Sequence, residues 1–326
     1  MAIKTLIVLV GLALASVRFA EAQQTGKVPR IGFLSAGSFS STRSTVEAFR
    51  QGLRELGYIE GKNIVVEYRS GEGKPERLPD LAAELIRLKV DVIVTQSTPA
   101  AVAAKNATTI IPIVMTSLSD PVATGLVASL ARPGGNITGV TIMNAETAGK
   151  RLQLLKETAP KVSRVAVLWN SDNPGAAVVF KQTQAAAQDL GLQLQSQDMQ
   201  SINDLEGAFK AVTRGAANAL VLLASNPIGT RLREIADFAI KNRLPSIHDR
   251  SDFVEAGGLM SYGTQLPDMS RRAASYVDKI LKGSKPADLP VEQPMKFEFV
   301  INLKAAKQIG LTIPQSVLYR ADKVIK

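Results

Sequence analysis

The sequence predicts an α/β fold made of two doubly wound lobes. From Val28 onward, short runs rich in Val and Ile alternate with amphipathic stretches of about 10 to 18 residues, which is the rhythm of βαβ units around a parallel sheet. Most of the short runs are apolar nearly throughout, as expected when helices cover both faces of the sheet. A chain of 326 residues is long enough to bury two cores of ordinary domain size.

The strands and helices follow from these two patterns. The apolar runs predict strands at RIGFLS (30–35), NIVVEY (63–68), DVIVTQ (91–96), IPIVMT (111–116), ITGV (137–140), RVAVLW (164–169), LQLQSQ (192–197), ALVLLA (219–224), LPSIH (244–248), GLMSY (258–262) and FEFVIN (297–302). In STVEAFRQGLRELGY, apolar residues recur at spacings of three and four and Gly57 supplies a stop, which predicts a helix. The same logic predicts helices over 76–88, 98–106, 147–158, 175–190, 203–213, 229–242 and 266–282.

The boundary between the lobes is predicted near residue 140. ARPGGN (131–136) is the strongest cluster of helix and strand breakers in the chain. It precedes the strand at 137–140, after which a fresh helical run begins. We therefore expect this strand to lead from a first lobe of about 115 residues, a usual domain size, into the second.

The first 22 residues have the pattern of a secretory signal. A single Lys4 precedes an apolar stretch from Thr5 to Val17, and Ala20-Glu21-Ala22 places small residues where a signal peptidase requires them. The stretch is shorter than the roughly 20 residues of a spanning helix, so cleavage after Ala22 is favoured over a membrane anchor. Since the chain has no cysteine, it has no lipobox thiol, and we expect a free periplasmic protein.

The chain is basic, with a formal net charge of +10 and a pI of about 9.7. Lys and Arg are nevertheless spread singly or in pairs, with little aromatic interleaving. This distribution favours a solvated basic surface, and we expect no nucleic-acid partner.

Polar residues follow several strands of the first lobe at their carboxyl ends, where parallel sheets bind ligands. Ser35 begins a loop of small and hydroxyl-bearing residues, which suits either a ligand contact or a flexible loop with a helix cap. Ser97 or Thr98, after Gln96, is placed to cap a helix that has Pro99 in its first turn. Ser119 or Asp120, after Ser117, repeats that arrangement before Pro121.

The second lobe offers a matching set of strand ends. Trp169 and Asn170 end one strand, Asn173 precedes a helix start at Pro174, and Ser225 follows another strand. After 244–248 come Asp249 and Asp252, either of which would meet the ammonium group of a zwitterionic ligand while helix N-termini meet its carboxylate.

Enzymatic signatures are absent from the sequence. The segment GFLSAG does not have the G-x-S-x-G spacing, and neither G-x-G-x-x-G nor a P-loop follows the first strand. His248 is the only histidine, and a lone histidine beside a strand is more often a packing residue than a catalytic one. One histidine and no cysteine leave no transition-metal set. We expect no catalytic residue, no metal and no cofactor.

Several long blocks resemble one family in order and spacing. They are FRQGLRELGYIEGKNIVVEYRSGEGKPERLPDLAAEL, IPIVMTSLSDPVATGLVASLARPGGNITGV, KRLQLLKETAPKVSRVAVLWNSDNP and AKQIGLTIPQSVLYRADKVIK. The chain resembles the ABC transporter substrate-binding proteins related to the tryptophan and tyrosine importer receptors. The resemblance spans essentially the whole chain after the signal.

The resemblance implies a type I periplasmic binding protein fold, with two Rossmann-like lobes joined by three crossings and a solute enclosed as they hinge shut. The first lobe would take 28–142 and 262–284, and the second 143–261 and 285–326. Ligand contacts would come from Ser35, Gln96, Ser97, Thr98, Ser117, Asp120, Trp169, Asn170, Asn173, Ser225, Asp249 and Tyr262, with Trp169 the favoured stacking platform among few aromatic residues.

The function implied is capture of a small organic solute by a monomer that delivers it to an ABC permease in the inner membrane. The solute would be an amino acid, aromatic ones included, or a similar carboxylate. A periplasmic receptor that senses its ligand for a membrane signalling partner would have the same sequence features, and this alternative stays open.

Overall fold

The computed structural model describes residues 27–326, and the predicted signal at 1–22 lies outside them. The described chain forms two β-sheets with helices on both faces, which confirms the predicted α/β fold of two doubly wound lobes. Between residues 27 and 326, no helix is long and apolar enough to cross a bilayer.

The elements follow the chain in this order. The first lobe begins with β1 (Arg30–Ser35), α1 (Arg43–Glu55), β2 (Val65–Ser70), α2 (Leu78–Arg87), β3 (Val92–Gln96), α3 (Thr98–Ala107), β4 (Ile113–Leu118) and β5 (Ile137–Thr141). The second lobe continues with α4 (Ala148–Thr158), β6 (Arg164–Trp169), α5 (Pro174–Asp189), β7 (Gln193–Asp198), α6 (Leu205–Arg214), β8 (Ala219–Leu222), α7 (Asn226–Gly229), α8 (Leu232–Lys241), β9 (Ser246–His248), α9 (Asp252–Glu255) and β10 (Met260–Gly263). The last elements are α10 (Leu266–Leu281), β11 (Glu298–Asn302), α11 (Leu303–Gln308), α12 (Gln315–Leu318) and β12 (Lys323–Ile325), and short 3₁₀ turns span Pro75–Arg77, Ile202–Asp204 and Pro286–Asp288.

The first sheet has the strand order β2-β1-β3-β4-β5, and all its strands are parallel. Successive residues of a strand point to opposite faces, so Val92 packs into the core on one face and Ile93 into the core on the other. Helix α1 contributes Phe49 and Leu53 to the first of these cores. Its end is fixed by Gly57, whose φ of 88° is easy only for glycine.

The second sheet has the order β12-β11-β10-β9-β8-β6-β7. Its strands are parallel except where β11 runs antiparallel to β10. The edge strand β12 is absent from the sequence prediction, because three residues between polar neighbours carry no periodic signal. The predicted helix over 229–242 corresponds to α8, and the short helix α7 before it was not predicted.

The chain passes between the sheets three times: after Thr141, after Gly263, and between Glu292 and Glu298. Helix α10 therefore returns to the first lobe, where Gly52 of α1 lets it approach; a Cβ at Gly52 would lie 2.5 Å from the carbonyl oxygen of Arg271. Glu292 still pairs with Val140 of β5. It lies eight residues beyond residue 284, where the last lobe boundary was expected. We propose that the lobes divide at these crossings.

The segment after β4 differs from the expectation. Pro121 was expected at the start of a helix, but residues 121–128 form turns and bends. Asp120 does act as a cap, since its Oδ1 accepts hydrogen bonds from the backbone N–H groups of Val122 and Ala123 at 3.0 and 2.9 Å. The turn does not continue as a helix, because the chain reverses at Gly125, whose φ of 69° lies in the left-handed region.

Candidate ligand-binding cleft

A cavity of about 140 Å³ lies between the lobes, where the carboxyl ends of the strands of both sheets meet. Both lobes and the crossing segments contribute to its wall. The lining residues are Ser35, Gly37, Ser38, Ser41, Thr42, Glu72, Gly73, Gln96, Ser97, Thr98, Pro99, Ser117, Ser119, Ile142, Asn144, Asn173, Ala224, Ser225, Gly229, Thr230, Asp249, Arg250, Thr264 and Leu266.

Most of the residues predicted from the sequence lie together at this cavity. Those in its wall are Ser35, Gln96, Ser97, Thr98, Ser117, Asn173, Ser225 and Asp249. The structure does not place Asp120, Trp169, Asn170 and Tyr262 in that wall. A role for any of them in ligand binding stays a prediction.

The two predicted aromatic contacts are engaged elsewhere. Trp169 stacks on Phe180, with ring centroids 4.1 Å apart and planes 4° from parallel, and its indole N–H donates to Ser196 Oγ at 2.7 Å. Tyr262 stacks against Phe297, with centroids 5.9 Å apart. Neither ring is therefore available as a platform in this cavity.

The other two residues outside the wall have local roles. Asp120 caps the turn at Val122 and Ala123. Asn170 Oδ1 accepts a hydrogen bond from the backbone N–H of Asp172 at 2.7 Å, and Asn170 borders a smaller crevice beside the main cavity. Both side chains stabilise the loops that carry the site.

Ser97 has the most strained backbone among the described residues of the wall. Its φ of 93° and ψ of 153° lie in a region that is almost restricted to glycine, and such strain collects at binding sites. The sequence predicted that Ser97 or Thr98 caps α3, and this is wrong: no side chain caps that helix. Since α3 begins in the wall at Thr98, its uncapped first turn presents free N–H groups and partial positive charge to a bound oxyanion.

Gln96 ends β3 just before this turn and is 8% exposed. Its Nε2 donates to Thr45 Oγ1 at 2.8 Å, which fixes the orientation of the amide group. Its Oε1 then has no hydrogen-bond partner among the described residues. A buried amide oxygen left in this way is an acceptor held ready for a donor on a solute.

Asp249 is the buried acid of the second lobe, 6% exposed. Asn144 donates its Nδ2–H to Oδ2 of Asp249. Oδ1 lies 2.7 Å from Nδ1 of His248. That ring nitrogen, however, forms its hydrogen bond with the carbonyl oxygen of Leu222, at 3.1 Å. Oδ1 is therefore left without a hydrogen bond from the described residues.

The charge of Asp249 follows from its neighbours. Burial acts to raise the pKa of this carboxyl group, but the adjacent His248, together with Arg151 and Arg250, outweighs burial and holds the pKa well below its usual 3.8. Asp249 is consequently ionised at neutral pH. It presents a desolvated negative charge to the cavity.

Arg151, on α4, is a fully buried guanidinium that sequence analysis missed, because it sits in an ordinary helical pattern. It is 1% exposed, and burial lowers its pKa while the charge of Asp249 acts in the opposite direction. Its Nη2 donates to the carbonyl oxygen of Asn144 at 2.8 Å and its Nη1 to Thr147 Oγ1 at 2.8 Å. A longer contact of 3.4 Å reaches the carbonyl oxygen of Tyr262. Arg151 therefore links two of the three crossing segments.

The lobes touch across the cleft at Thr98 and Gly175. Gly175 lies in the first turn of α5, whose start is capped by Asn173 Oδ1 at 3.0 Å. A Cβ placed on Gly175 would lie 2.4 Å from Thr98 Oγ1. The lobes are close enough here that only glycine fits.

Sequence analysis also missed much of the rim. Ser38, Ser41 and Thr42 come from the loop after β1. The hydroxyl-rich composition of that loop was the feature of the sequence that could have identified them. Thr264, on the second crossing, donates its hydroxyl to the carbonyl oxygen of Ile142 on the first crossing at 3.0 Å. Nothing local in the sequence marks a residue of that kind.

Among the described residues, the buried side-chain atoms without a hydrogen-bond partner concentrate at this site. They are Thr95 Oγ1, Gln96 Oε1, Ser97 Oγ, Arg151 Nε, Gln195 Oε1, Ser225 Oγ, Asp249 Oδ1 and Ser270 Oγ. Half of these atoms belong to residues of the cavity wall. Such groups are rare in native proteins and call for an explanation, which a bound polar solute supplies.

The chain is similar in sequence to known solute-binding proteins. The family model described as "ABC transporter substrate binding protein" matches residues 31–325. A "Tyrosine-binding protein" of Clostridioides difficile (strain R20291) is 26% identical over 285 residues, which is 87% of this chain and 82% of that protein.

Two solved structures bear on the arrangement of the lobes. An ABC domain from Streptococcus pneumoniae in complex with L-Trp is 29% identical, covers 91% of this chain and 99% of that one, and gives a TM-score of 0.85. The ligand-free, open structure of a substrate binding protein with adhesive properties from Clostridium difficile is 26% identical, with coverage of 92% and 99%, but gives a TM-score of 0.66. Identity and coverage are nearly equal, so the lobe arrangement here is nearer to the L-Trp complex. The predicted type I periplasmic binding protein fold is confirmed.

Proposed function

The chain belongs to the ABC transporter substrate binding protein family, and on that premise we propose that it captures a small organic solute between its lobes for an ABC importer. The observation that carries the proposal is the unpartnered oxygen of Asp249, a buried and ionised carboxylate in the wall of the interlobe cavity. Arg151 and Arg250 offset its charge, but the Oδ1 atom has no hydrogen bond from the described residues and is free to accept one from a charged donor on a solute.

We propose that the solute is an amino acid. Its ammonium group would bind Asp249 on the second lobe, and its carboxylate would bind the uncapped first turn of α3 on the first lobe. A ligand with opposite charges at its two ends would thereby connect the lobes. It would stabilise the closed arrangement because only that arrangement brings both groups within reach.

The site favours binding without chemistry. His248, the histidine a hydrolytic mechanism would need, is 1% exposed and does not line the cavity. Its ring packs edge-on against Phe253, with centroids 5.9 Å apart, and Nδ1 is directed to a backbone carbonyl oxygen. A buried ring outside the cavity wall makes no contact with a solute bound there.

Export and delivery complete the proposal. We propose that the protein is released into the periplasm after cleavage near Ala22, acts as a monomer, and docks in its closed form on a permease of the inner membrane. Deleting the coding sequence would then abolish uptake of the solute. Unchanged uptake together with a lost transcriptional or chemotactic response would instead identify a sensory receptor.

Calorimetric titration tests the ligand assignment. The purified protein would be stripped of bound solute by unfolding and refolding, then titrated with the proteinogenic amino acids and with amines and carboxylates that carry one charged group each. We expect an amino acid to bind and both kinds of single-charge analogue to bind at least about 100-fold more weakly, since each lacks one charge-assisted contact. Absence of binding by every amino acid would sink the proposal.

The variant Asp249→Asn separates the charge of the carboxylate from its shape. We expect it to weaken amino-acid binding at least about 100-fold, because the ammonium group would lose its charged partner. The matched control is Asp237→Asn, which neutralises an exposed aspartate paired with Arg233 on α8, far from the cavity wall. The control should bind as the natural sequence does.

A further inference from the structure

The wall of the cleft is made of hydroxyl and amide groups. Among its described lining residues, none has an aromatic ring, and the apolar side chains are confined to Pro99, Ile142, Ala224 and Leu266. Pockets that bind flat apolar groups are lined mainly by apolar and aromatic side chains. The side chains of this wall are instead mainly polar, although carbon atoms make up more than half of its exposed surface.

The aromatic residues nearest the cleft do not turn toward it. Trp169 and Tyr262 are stacked on Phe180 and Phe297. Phe33 is buried in the first-lobe core, and Phe39, in the loop after β1, is 52% exposed and outside the cavity wall. A ring on the solute would therefore find no aromatic stacking partner among the described residues of the wall, and its edge and faces would meet serine and threonine hydroxyls as well as a few aliphatic side chains.

The volume of the cavity limits the size of the solute. A cavity of about 150 Å³ holds benzene, a molecule of about six non-hydrogen atoms. The 140 Å³ present here suits a solute of similar size. Serine, threonine, asparagine and glutamine have about 7 to 10 non-hydrogen atoms and the aromatic amino acids about 12 to 15, so the aromatic ones exceed this volume most.

The unpartnered atoms of the wall define what the solute must offer besides its ammonium group. Gln96 Oε1 is an acceptor with no donor among the described residues. Ser97 Oγ and Ser225 Oγ are buried hydroxyls, one on each lobe, that likewise have no partner in the described part of the chain. A solute side chain with a hydroxyl or carboxamide group supplies donors and acceptors to such atoms, whereas a hydrocarbon side chain leaves them unsatisfied.

We propose that the cleft selects a small amino acid whose side chain carries a hydroxyl or carboxamide group, in preference to an aromatic amino acid. The inference rests on the proposed function, because it assumes that Asp249 and α3 hold the ammonium and carboxylate groups. It concerns only the third part of the ligand, the side chain. The selection comes from the size of the cavity and from the polar atoms of Gln96, Ser97 and Ser225.

A titration of the ligand-stripped protein with two sets of amino acids tests the inference. One set is L-serine, L-threonine, L-asparagine and L-glutamine, and the other is L-phenylalanine, L-tyrosine and L-tryptophan. We expect at least one member of the first set to bind about tenfold or more tightly than every member of the second. Tighter binding of an aromatic amino acid would overturn this inference and leave the proposed function standing. Absence of binding by both sets and by all other amino acids would overturn both.

The variant Ser225→Ala tests whether this residue of the wall distinguishes between the side chains of different solutes. If L-serine is the solute, the ratio of its affinity to that of L-alanine should fall by about fivefold or more in Ser225→Ala. If L-asparagine is the solute, the ratio of its affinity to that of L-alanine should fall by the same extent. The control Ser284→Ala removes an exposed hydroxyl outside the cavity and should leave both preferences unchanged.

A merely structural role for Ser225 would lower the affinities for all these amino acids together. In that case the preference would not change in Ser225→Ala, and the assignment of Ser225 as a specificity-determining residue would be overturned. Because Ser225 Oγ has no partner to lose within the described chain, the free variant should unfold at a temperature no lower than the natural protein.

Discussion

Replacing Gly175 with alanine should prevent full closure of the cleft without harming either lobe. The new Cβ would lie 2.4 Å from Thr98 Oγ1 and 3.2 Å from Thr98 Cβ, so the two helix starts would have to separate by roughly 1 Å. Overpacking of this extent costs about 1 to 3 kcal/mol. Because only the closed form bears this cost, solute affinity should fall between about 5-fold and 150-fold.

The free protein should respond in the opposite direction. Gly175 lies in the first turn of α5, where alanine favours the helix by up to about 1 kcal/mol relative to glycine. The matched control is Gly207→Ala in the first turn of α6, where a Cβ would meet no other atom within 4 Å. It should gain the same helix stability and keep the full affinity.

Calorimetry and small-angle X-ray scattering would measure the two effects. Saturating solute should reduce the radius of gyration of the natural protein and of Gly207→Ala, and reduce it less for Gly175→Ala. The decisive comparison is a double-mutant cycle with Thr98→Ala, which removes the atom in the way. If Gly175→Ala keeps its affinity within twofold, this contact does not limit closure. The same conclusion follows if Gly175→Ala weakens binding by the same factor in the natural protein and in the Thr98→Ala variant.

Three further predictions concern strain, charge and the crossing segments. Ser97→Gly should relieve the strained backbone at φ 93° and raise the free energy of unfolding by about 1 kcal/mol, measured by urea denaturation, whereas Ser97→Ala keeps the strain and should not. Because the pKa of Asp249 is held below 3.8, its ionised form stabilises the fold above about pH 4, and this contribution is lost as the pH falls through the folded-state pKa. Amino-acid binding should therefore be constant from pH 7 to about pH 4 and weaken only when the pH falls through the lowered pKa of Asp249. Weakening between pH 7 and about pH 4 would show that Asp249 is not the ammonium partner. Arg151→Leu should lower the free energy of unfolding by about 3 to 5 kcal/mol, since a buried carboxylate loses its neighbouring cation, while Lys150→Leu should cost little.

The parts of the site that sequence patterns predicted are those with a local signal. Polar residues after β1, β3 and β4 could be assigned to one edge of the sheet because parallel strands all end at the same edge. Asn173 could be predicted as a helix start because it precedes Pro174, and in the structure its Oδ1 does accept a hydrogen bond from the backbone N–H of Gly175. Asp249 could be proposed as a ligand for a cation because an acid after a buried strand lies at that edge.

Other features depended on contacts between distant segments. Trp169 was expected in the cleft because it ends a strand, but Phe180 and Ser196 hold its ring elsewhere. Ser97 was expected to cap α3, and its strained backbone prevents this. Arg151 has no distinguishing neighbours in the sequence, and its burial against two crossings becomes evident only in the folded chain.

By itself, the sequence determined the α/β class, the order of most strands and helices, and the edge of each sheet at which the interlobe cavity lies. These depend on periodicity and on strand direction, which are properties of short segments. Only the tertiary structure decided which polar atoms face one another across the cleft, which of them lack partners, and how little room is left at Gly175. The physical reason is that side-chain direction and burial are set by packing between residues far apart in the chain, and no local pattern records those contacts.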